Sequence, residues 1–150
     1  MTDIAIREAA LTDAVIETLI ALSRDWEAED SCHGYRANSR ESIEGRRVFL
    51  AEEGGRVVGY LFGKPFRAEK ASSIMPQGSA CFEVEEHYVI PERRSRGIGR
   101  ALMAALEAAV KGEAEYVMLS TATKNWRAIL HFYIDEAGME FWSARLFKKL

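Results

Sequence analysis

The chain has 150 residues, 48% of them hydrophobic and 29% charged, with a net charge of -3. That is enough apolar material for one sizeable core, with no room for a second domain. A slightly acidic chain has no global pull toward nucleic acid, no apolar run reaches the roughly eighteen residues of a membrane span, and the start Met-Thr-Asp-Ile-Ala-Ile-Arg lacks the layout of a signal peptide. The expectation is therefore a single domain over residues 1–150 in the cytoplasm. Cys32 and Cys81 lack metal-ligand spacing and read as free thiols, so no metal is indicated.

In chain order, residues 3–8 read as a strand. Thr12 to Arg24 follows with Ala14, Val15, Leu19, Ile20 and Leu22 at helical period and Thr12 or Asp13 as cap. Residues 25–39 are acidic and aromatic, broken at Gly34, and read as a loop before a short helix over 40–45. Arg47 to Glu52 and Val57 to Phe62 are two strands joined through Gly54-Gly55, a hairpin signal. A loop with Pro65, Pro76 and Gly78 spans 64–78, and a strand runs from Ala80 to Val89. After the next helix come a strand over 116–121, a helix from about Trp126 to Glu136, and a terminal strand over 140–148.

The stretch from Val89 to Leu102 carries the chemistry. A strand end runs into Arg94-Ser95-Arg96-Gly97-Ile98-Gly99-Arg100, and from Ile98 onward Ala101, Leu102, Ala105, Leu106, Ala109 and Val110 fall at helical spacing. Side-chain-free backbone at Gly97 and Gly99 lets several N–H groups point at one anion, and the helix adds its positive end. Arg94, Ser95, Arg96 and Arg100 add charge and a hydroxyl, which suits a phosphate or pyrophosphate. A dinucleotide fingerprint needs a third glycine where Leu102 stands, and a P-loop needs Gly-Lys-Ser/Thr, which is absent.

The spacing Arg94-x-x-Gly97-x-Gly99, after a Val-Ile-Pro-Glu strand end and opening a helix, resembles the acetyl-coenzyme A signature of the GCN5-related N-acetyltransferases. The order of elements resembles that fold along nearly the whole chain. The resemblance implies an α/β fold, a central mixed β-sheet flanked by helices, in which the 80–89 strand is central beside the 116–121 strand. It also implies an acetyl-CoA-dependent N-acetyltransferase. The coenzyme's pyrophosphate would lie on Ser95 to Arg100, and its pantetheine arm along Tyr88 and Val89.

Period two along the 80–89 strand puts Cys81, Glu83, Glu85 and His87 on one face and Phe82, Val84, Glu86 and Tyr88 on the other. Several members of the resembled family carry a glutamate four residues before this strand end, which makes Glu85 the expected handler of the amine proton. A bulge would shift the faces by one and leaves Glu86 open, and His87 is near enough to relay. Presenting a neutral amine at pH 7 costs about 4.6 kcal/mol, against about 2 kcal/mol for a thiol leaving as thiolate, so the base matters more than the acid.

The segment Asn125-Trp126-Arg127-Ala128-Ile129-Leu130-His131-Phe132-Tyr133 through Gly138 resembles the family's Asn-x-x-Ala-x-x-Phe-Tyr-x-x-x-Gly, with one residue added on each side of the tyrosine. Asn125 and Tyr133 are thereby expected at the coenzyme, with Tyr133 as the phenol that protonates the sulfur. A regular helix would turn Tyr133 by about 100° from its usual place relative to Asn125, so either Asn125 lies outside the helix or Phe132 takes the usual tyrosine place.

In the resembled fold the loop between the first two helices helps form the acceptor pocket. Here it holds Asp25, Trp26, Glu27, Glu29, Asp30, His33 and Tyr35, which favours a cationic small-molecule or peptide amine. A non-catalytic acyl-CoA sensor on the same fold would keep the cradle without needing Glu85 or Tyr133. The last strand alternates Trp142, Ala144 and Leu146 with Phe141, Ser143, Arg145 and Phe147, apolar on both faces, so a homodimer through it is expected.

Overall fold

The computed structural model describes residues 3–69 and 74–150, so part of the expected 64–78 loop lies outside the described residues. Five strands form one sheet in the order β1 (Ile4–Ala9), β2 (Arg47–Glu53), β3 (Arg56–Arg67), β4 (Ala80–Val89) and β5 (Tyr116–Leu119). The first three pairings are antiparallel and β4 pairs β5 in parallel, which gives the expected mixed sheet. The helices are α1 (Asp13–Glu29), α2 (Arg40–Ile43), α3 (Ile98–Val110) and α4 (Trp126–Leu130).

Helix α1 starts where Thr12 caps it, its side chain accepting from Val15 N–H. It runs more than a turn past the expected end at Arg24, because Trp26 packs against the core although its neighbours are polar. Strand β3 also outruns its expected end at Phe62 and takes in Pro65. Its pairing with β2 stops at Arg47–Gly63, so the missing N–H of Pro65 faces no partner on that side.

Val48 to Ala51 and Tyr60 to Phe62 are buried without alternation, so both faces of the sheet centre are covered. Helix α3 presents Ile98, Leu102, Met103, Leu106 and Val110 to this core.

The expected terminal strand is not formed. Residues 140–150 follow Gly138 as coil, and Leu146 and Phe147 are 95% and 84% exposed. The alternation there carries apolar groups on both faces, and residues 140–150 pair with no strand among the described residues. Within this tail, Phe147 lies edge-on to His33 with ring centroids 5.7 Å apart.

Candidate functional site

The site begins where β4 loses its neighbour. Strand β5 pairs only with Cys81 to Val84 and ends at Leu119, so Glu85 to Val89 run on without a partner on that side. The chain after β5 turns away and is pinned to the loop after α1. His33 N–H donates to Ala122 O at 2.9 Å and Lys124 N–H to Ser31 O at 2.9 Å. The sheet therefore opens into a cleft beside the second half of β4.

At the same point β4 bulges. Phe62 faces Glu86 while Gly63 faces Val84, so Glu85 is the extra residue. Gly63 is required here, since a Cβ on it would come 2.0 Å from Glu83 O. The bulge breaks the expected alternation. Glu85 is taken by Arg46 in a two-pronged ion pair at 2.7 and 3.2 Å. Glu86 instead receives Tyr60 Oη at 2.7 Å, Asn38 Nδ2 at 2.8 Å and Tyr35 Oη at 3.0 Å, all on Oε1. Burial pushes the Glu86 carboxyl above its usual range against the pull of those donors.

His87 turns to the other side. A Cβ on Gly99 would lie 3.5 Å from His87 Nε2, so the ring abuts the first turn of α3, whereas Tyr88 Oη donates to Glu29 of α1 at 2.8 Å. Neighbouring β4 residues thus reach α1 and α3 on opposite faces of the sheet. Burial pushes the His87 imidazole down to about 4, leaving it neutral. Its Nδ1 is 2.9 Å from Tyr133 Oη, and its buried Nε2 lies against the Gly99 backbone without a hydrogen bond of regular geometry.

Tyr133 reaches this position through a departure from regular helix. Residues His131–Glu136 form a π-helical stretch, with Ala137 N–H donating to Phe132 O at 2.9 Å. The wider turn absorbs the residue added between Asn125 and Tyr133, and Asn125 sits just outside α4 as its N-cap. Burial, with the Cys32 thiol nearby, holds the Tyr133 phenol well above its usual range.

Beyond β4 a short 3-10 turn, Pro91–Arg93, leads into the glycine-paired turn. Ser95 and Gly97 both take positive φ, 62° and 81°. Among the described residues no main-chain acceptor meets the N–H groups from Ser95 through Arg100. Six consecutive donors are thus left at the start of a thirteen-residue helix, where the N–H groups and the positive helix end favour negative charge. Arg96 and Arg100 are exposed beside them and make no ion pair among the described residues. Arg94 is occupied: its Nε donates to Val89 O at 2.9 Å and its Nη2 to both oxygens of Glu29 at 2.9 Å. Arg93 is likewise paired with Glu53.

The sequence-predicted residues therefore fall in two groups around one cleft. Ser95 to Arg100 follow the β4 end at Tyr88 and Val89 with their N–H groups free of main-chain acceptors among the described residues, while His87 with Tyr133 lies on one side of β4 and Glu86 on the other. Reasoning from sequence misses Tyr60, Asn38 and Arg46. Only a bulge, as a way to turn Glu86 inward, points toward them. Among the described residues no cluster suited to a metal ion is present, and no helix is long and apolar enough to cross a membrane.

The sequence profile of the Acetyltransferase (GNAT) family matches residues 15–139. No curated protein sequence matches the chain. Solved structures do resemble it. An aminoglycoside acetyltransferase from an uncultured soil metagenomic sample is 18% identical over 99% of both chains, with a TM-score of 0.71. A second, solved in complex with sisomicin, is 17% identical over 98% of this chain and 96% of its own, at 0.68. A protein from Clostridium acetobutylicum described as a predicted acetyltransferase, solved with acetyl-CoA, is 14% identical over 98% and 96%, at 0.70. These likenesses agree on the mixed sheet with flanking helices, and with the profile match over most of its length the chain belongs to the GNAT acetyltransferase family.

Proposed function

We propose that this protein is an N-acetyltransferase that moves the acetyl group of acetyl-CoA onto a primary amine of a cationic small molecule or peptide. The observation that carries the reading is the row of unpaired N–H groups from Ser95 to Arg100 set beside the open end of β4. In this reading residues 1–150 form one catalytic domain working in the cytoplasm. No metal is invoked, because a neutral amine attacks a thioester carbonyl without a Lewis acid.

The pyrophosphate lies on the amides of Ser95, Arg96, Gly97, Ile98, Gly99 and Arg100, with the Arg96 and Arg100 guanidinium groups beside it. Arg94 acts by holding the turn, since its side chain is spent on Val89 O and Glu29. The pantetheine arm runs along Tyr88 and Val89 in the gap β5 leaves, like an added strand, and passes Asn125 and Tyr133 on the opposite wall. The amine attacks the thioester carbon, a main-chain N–H at the β4 end steadies the oxyanion, and Tyr133 protonates the departing sulfur. The amine proton leaves through the carboxylates of the bulge. Of these Glu85 is already neutralised by Arg46 and Glu86 has no cationic partner.

The test is acetyl-CoA turnover followed by free thiol, over a panel of diamines, aminoglycosides such as sisomicin, amino acids and peptide N-termini. Amine-dependent thiol release is the expected result. Tight coenzyme binding with no release over the panel would favour the non-catalytic sensor instead.

A further inference from the structure

Two costly features of the cleft meet at one atom. His87 sets a polar ring between β4 and α3, with Nε2 buried against the Gly99 backbone and no hydrogen bond of regular geometry. A phenylalanine ring would fill that space without leaving a polar atom away from water. The stretch His131–Glu136 in turn abandons the regular helix for a π turn. Both departures converge on Tyr133 Oη, which the π turn brings to 2.9 Å from His87 Nδ1. Costs of this kind collect at functional sites.

The imidazole has little freedom to move. A Cβ on Gly99 would lie 3.5 Å from both His87 Nε2 and Phe132 Cζ, so the first turn of α3 rests on both rings. Phe132 and Tyr133 flank the imidazole with ring centroids 6.0 and 5.9 Å away, and Phe132 meets Tyr133 edge-on at 4.9 Å. Among the described residues no group other than His87 hydrogen-bonds Tyr133 Oη. Whichever of the two atoms carries the shared proton, the bond ties the phenol oxygen to a ring that packing already holds. A donor fixed in this way reaches the reacting atom with little rotational freedom left to lose.

We infer that His87 is a positioning residue: its Nδ1 holds Tyr133 Oη where the coenzyme sulfur arrives, while its other edge rests on the Gly99 turn that receives the pyrophosphate. This rests on the acetyl-transfer reading above and adds to it a residue that acts through Tyr133. His87 neither gains nor loses a proton in the reaction. As the C–S bond breaks, its electron pair goes to sulfur, which takes the proton of Tyr133 Oη. Tyr133 recovers a proton from solvent, and the attacking amine releases one to solvent as the C–N bond forms, so the protons balance.

The test is a double-mutant cycle on wild type, His87→Phe, Tyr133→Phe and the double variant, with an amine that wild type acetylates. His87→Phe keeps a ring and removes Nδ1. It should lower kcat by about three- to tenfold, the range equivalent to one neutral hydrogen bond, with both KM values unchanged. In the Tyr133→Phe background the same change should lower kcat no further. His87→Asn, which returns a polar atom near the Nδ1 position, should recover part of the loss, and His87→Gln, whose polar atoms fall near Nε2, should not. A loss of the same size in both backgrounds, no loss at all, or equal kcat in the Asn and Gln variants would overturn the assignment. Should His87→Phe not fold, the comparison of Asn with Gln decides alone. If wild type acetylates no amine, the acetyl-transfer reading fails, and the aim of Tyr133 is read by calorimetry with coenzyme A and desulfo-coenzyme A. The preference of wild type for the thiol should then fall in His87→Phe as it falls in Tyr133→Phe. A preference kept in His87→Phe, or none in wild type, overturns the proposal.

Discussion

His87 Nδ1 and Tyr133 Oη stand 2.9 Å apart across the cleft, one on β4 and the other on the π-helical stretch after α4. Both rings are largely withdrawn from water, which drives the two groups to their uncharged forms, imidazole downward and phenol upward. The pair is thus a neutral hydrogen bond with no ion in it at neutral pH.

The first prediction concerns Tyr133 as acid. Because its phenol is held above the ordinary value, it stays protonated throughout the neutral and mildly alkaline range and contributes no inflection there. Tyr133→Phe should lower turnover by no more than about thirtyfold, the factor equivalent to the ~2 kcal/mol thiolate penalty. Its pH–rate curve between about pH 6 and 9 should superpose on that of the wild type after scaling. A lost or displaced inflection in the variant would remove Tyr133 from the role.

A second prediction is thermodynamic. With the His87 value lowered from 6.5 to about 4 in the folded protein, the unfolded chain takes up a proton on this residue before the native state does. The stabilising effect of keeping it neutral is fully present above pH 6.5, is lost as pH falls from about 6.5 to about 4, and totals about 3 kcal/mol. Urea unfolding at about pH 7.5 and 4.5 should show a drop in wild type that is smaller by nearly that amount in His87→Phe. Other carboxylates titrate equally in both proteins, so the difference isolates His87. Equal drops would mean that the ring is charged or exposed in the native state.

What is legible in the sequence follows from local rules. Residues Ala80 to Val89 alternate and branch as a strand should, and the glycine-paired turn precedes an uninterrupted helical period, so β4, the turn and α3 have their expected bounds. Departures arise where a tertiary contact overrides a local signal. Trp26 carries α1 through Asp25 and Glu27 because it has Tyr35 and Tyr88 to stack on, and Pro65 sits in β3 because β2 has already ended. The bulge at Glu85 depends on Gly63 of the neighbouring strand, and neither strand alone announces it. In the same way, the single residue added before Tyr133 finds its place only in the wider π turn.

The third prediction tests the anion rim. Gly97 has φ of 81° and open space where a Cβ would stand, so Gly97→Asp should fold at a cost of about 1–2 kcal/mol for the left-handed backbone. Its carboxylate would stand among the unpaired N–H groups and repel a pyrophosphate. Calorimetric titration should find acetyl-CoA binding abolished in a variant whose far-ultraviolet dichroism matches wild type. Undiminished affinity in that folded variant would separate the coenzyme from this turn.

The last prediction follows from the tail. Phe141, Trp142, Leu146 and Phe147 are exposed together, and β5 offers an unpaired edge of only four residues to any strand that joins it. Exposed aromatics on both faces of one segment would be buried if two copies met there, where a second sheet edge and a second apolar face become available. We propose that the homodimer expected from the sequence forms through this tail, so the protein should run by light scattering at twice the 16.9 kDa chain mass at micromolar concentration. Removing residues 140–150 should give a monomer that still binds acetyl-CoA, because the Ser95 to Arg100 rim lies at the start of α3 and not on the tail. Wild-type protein that scatters as a monomer at that concentration would leave the tail without this role.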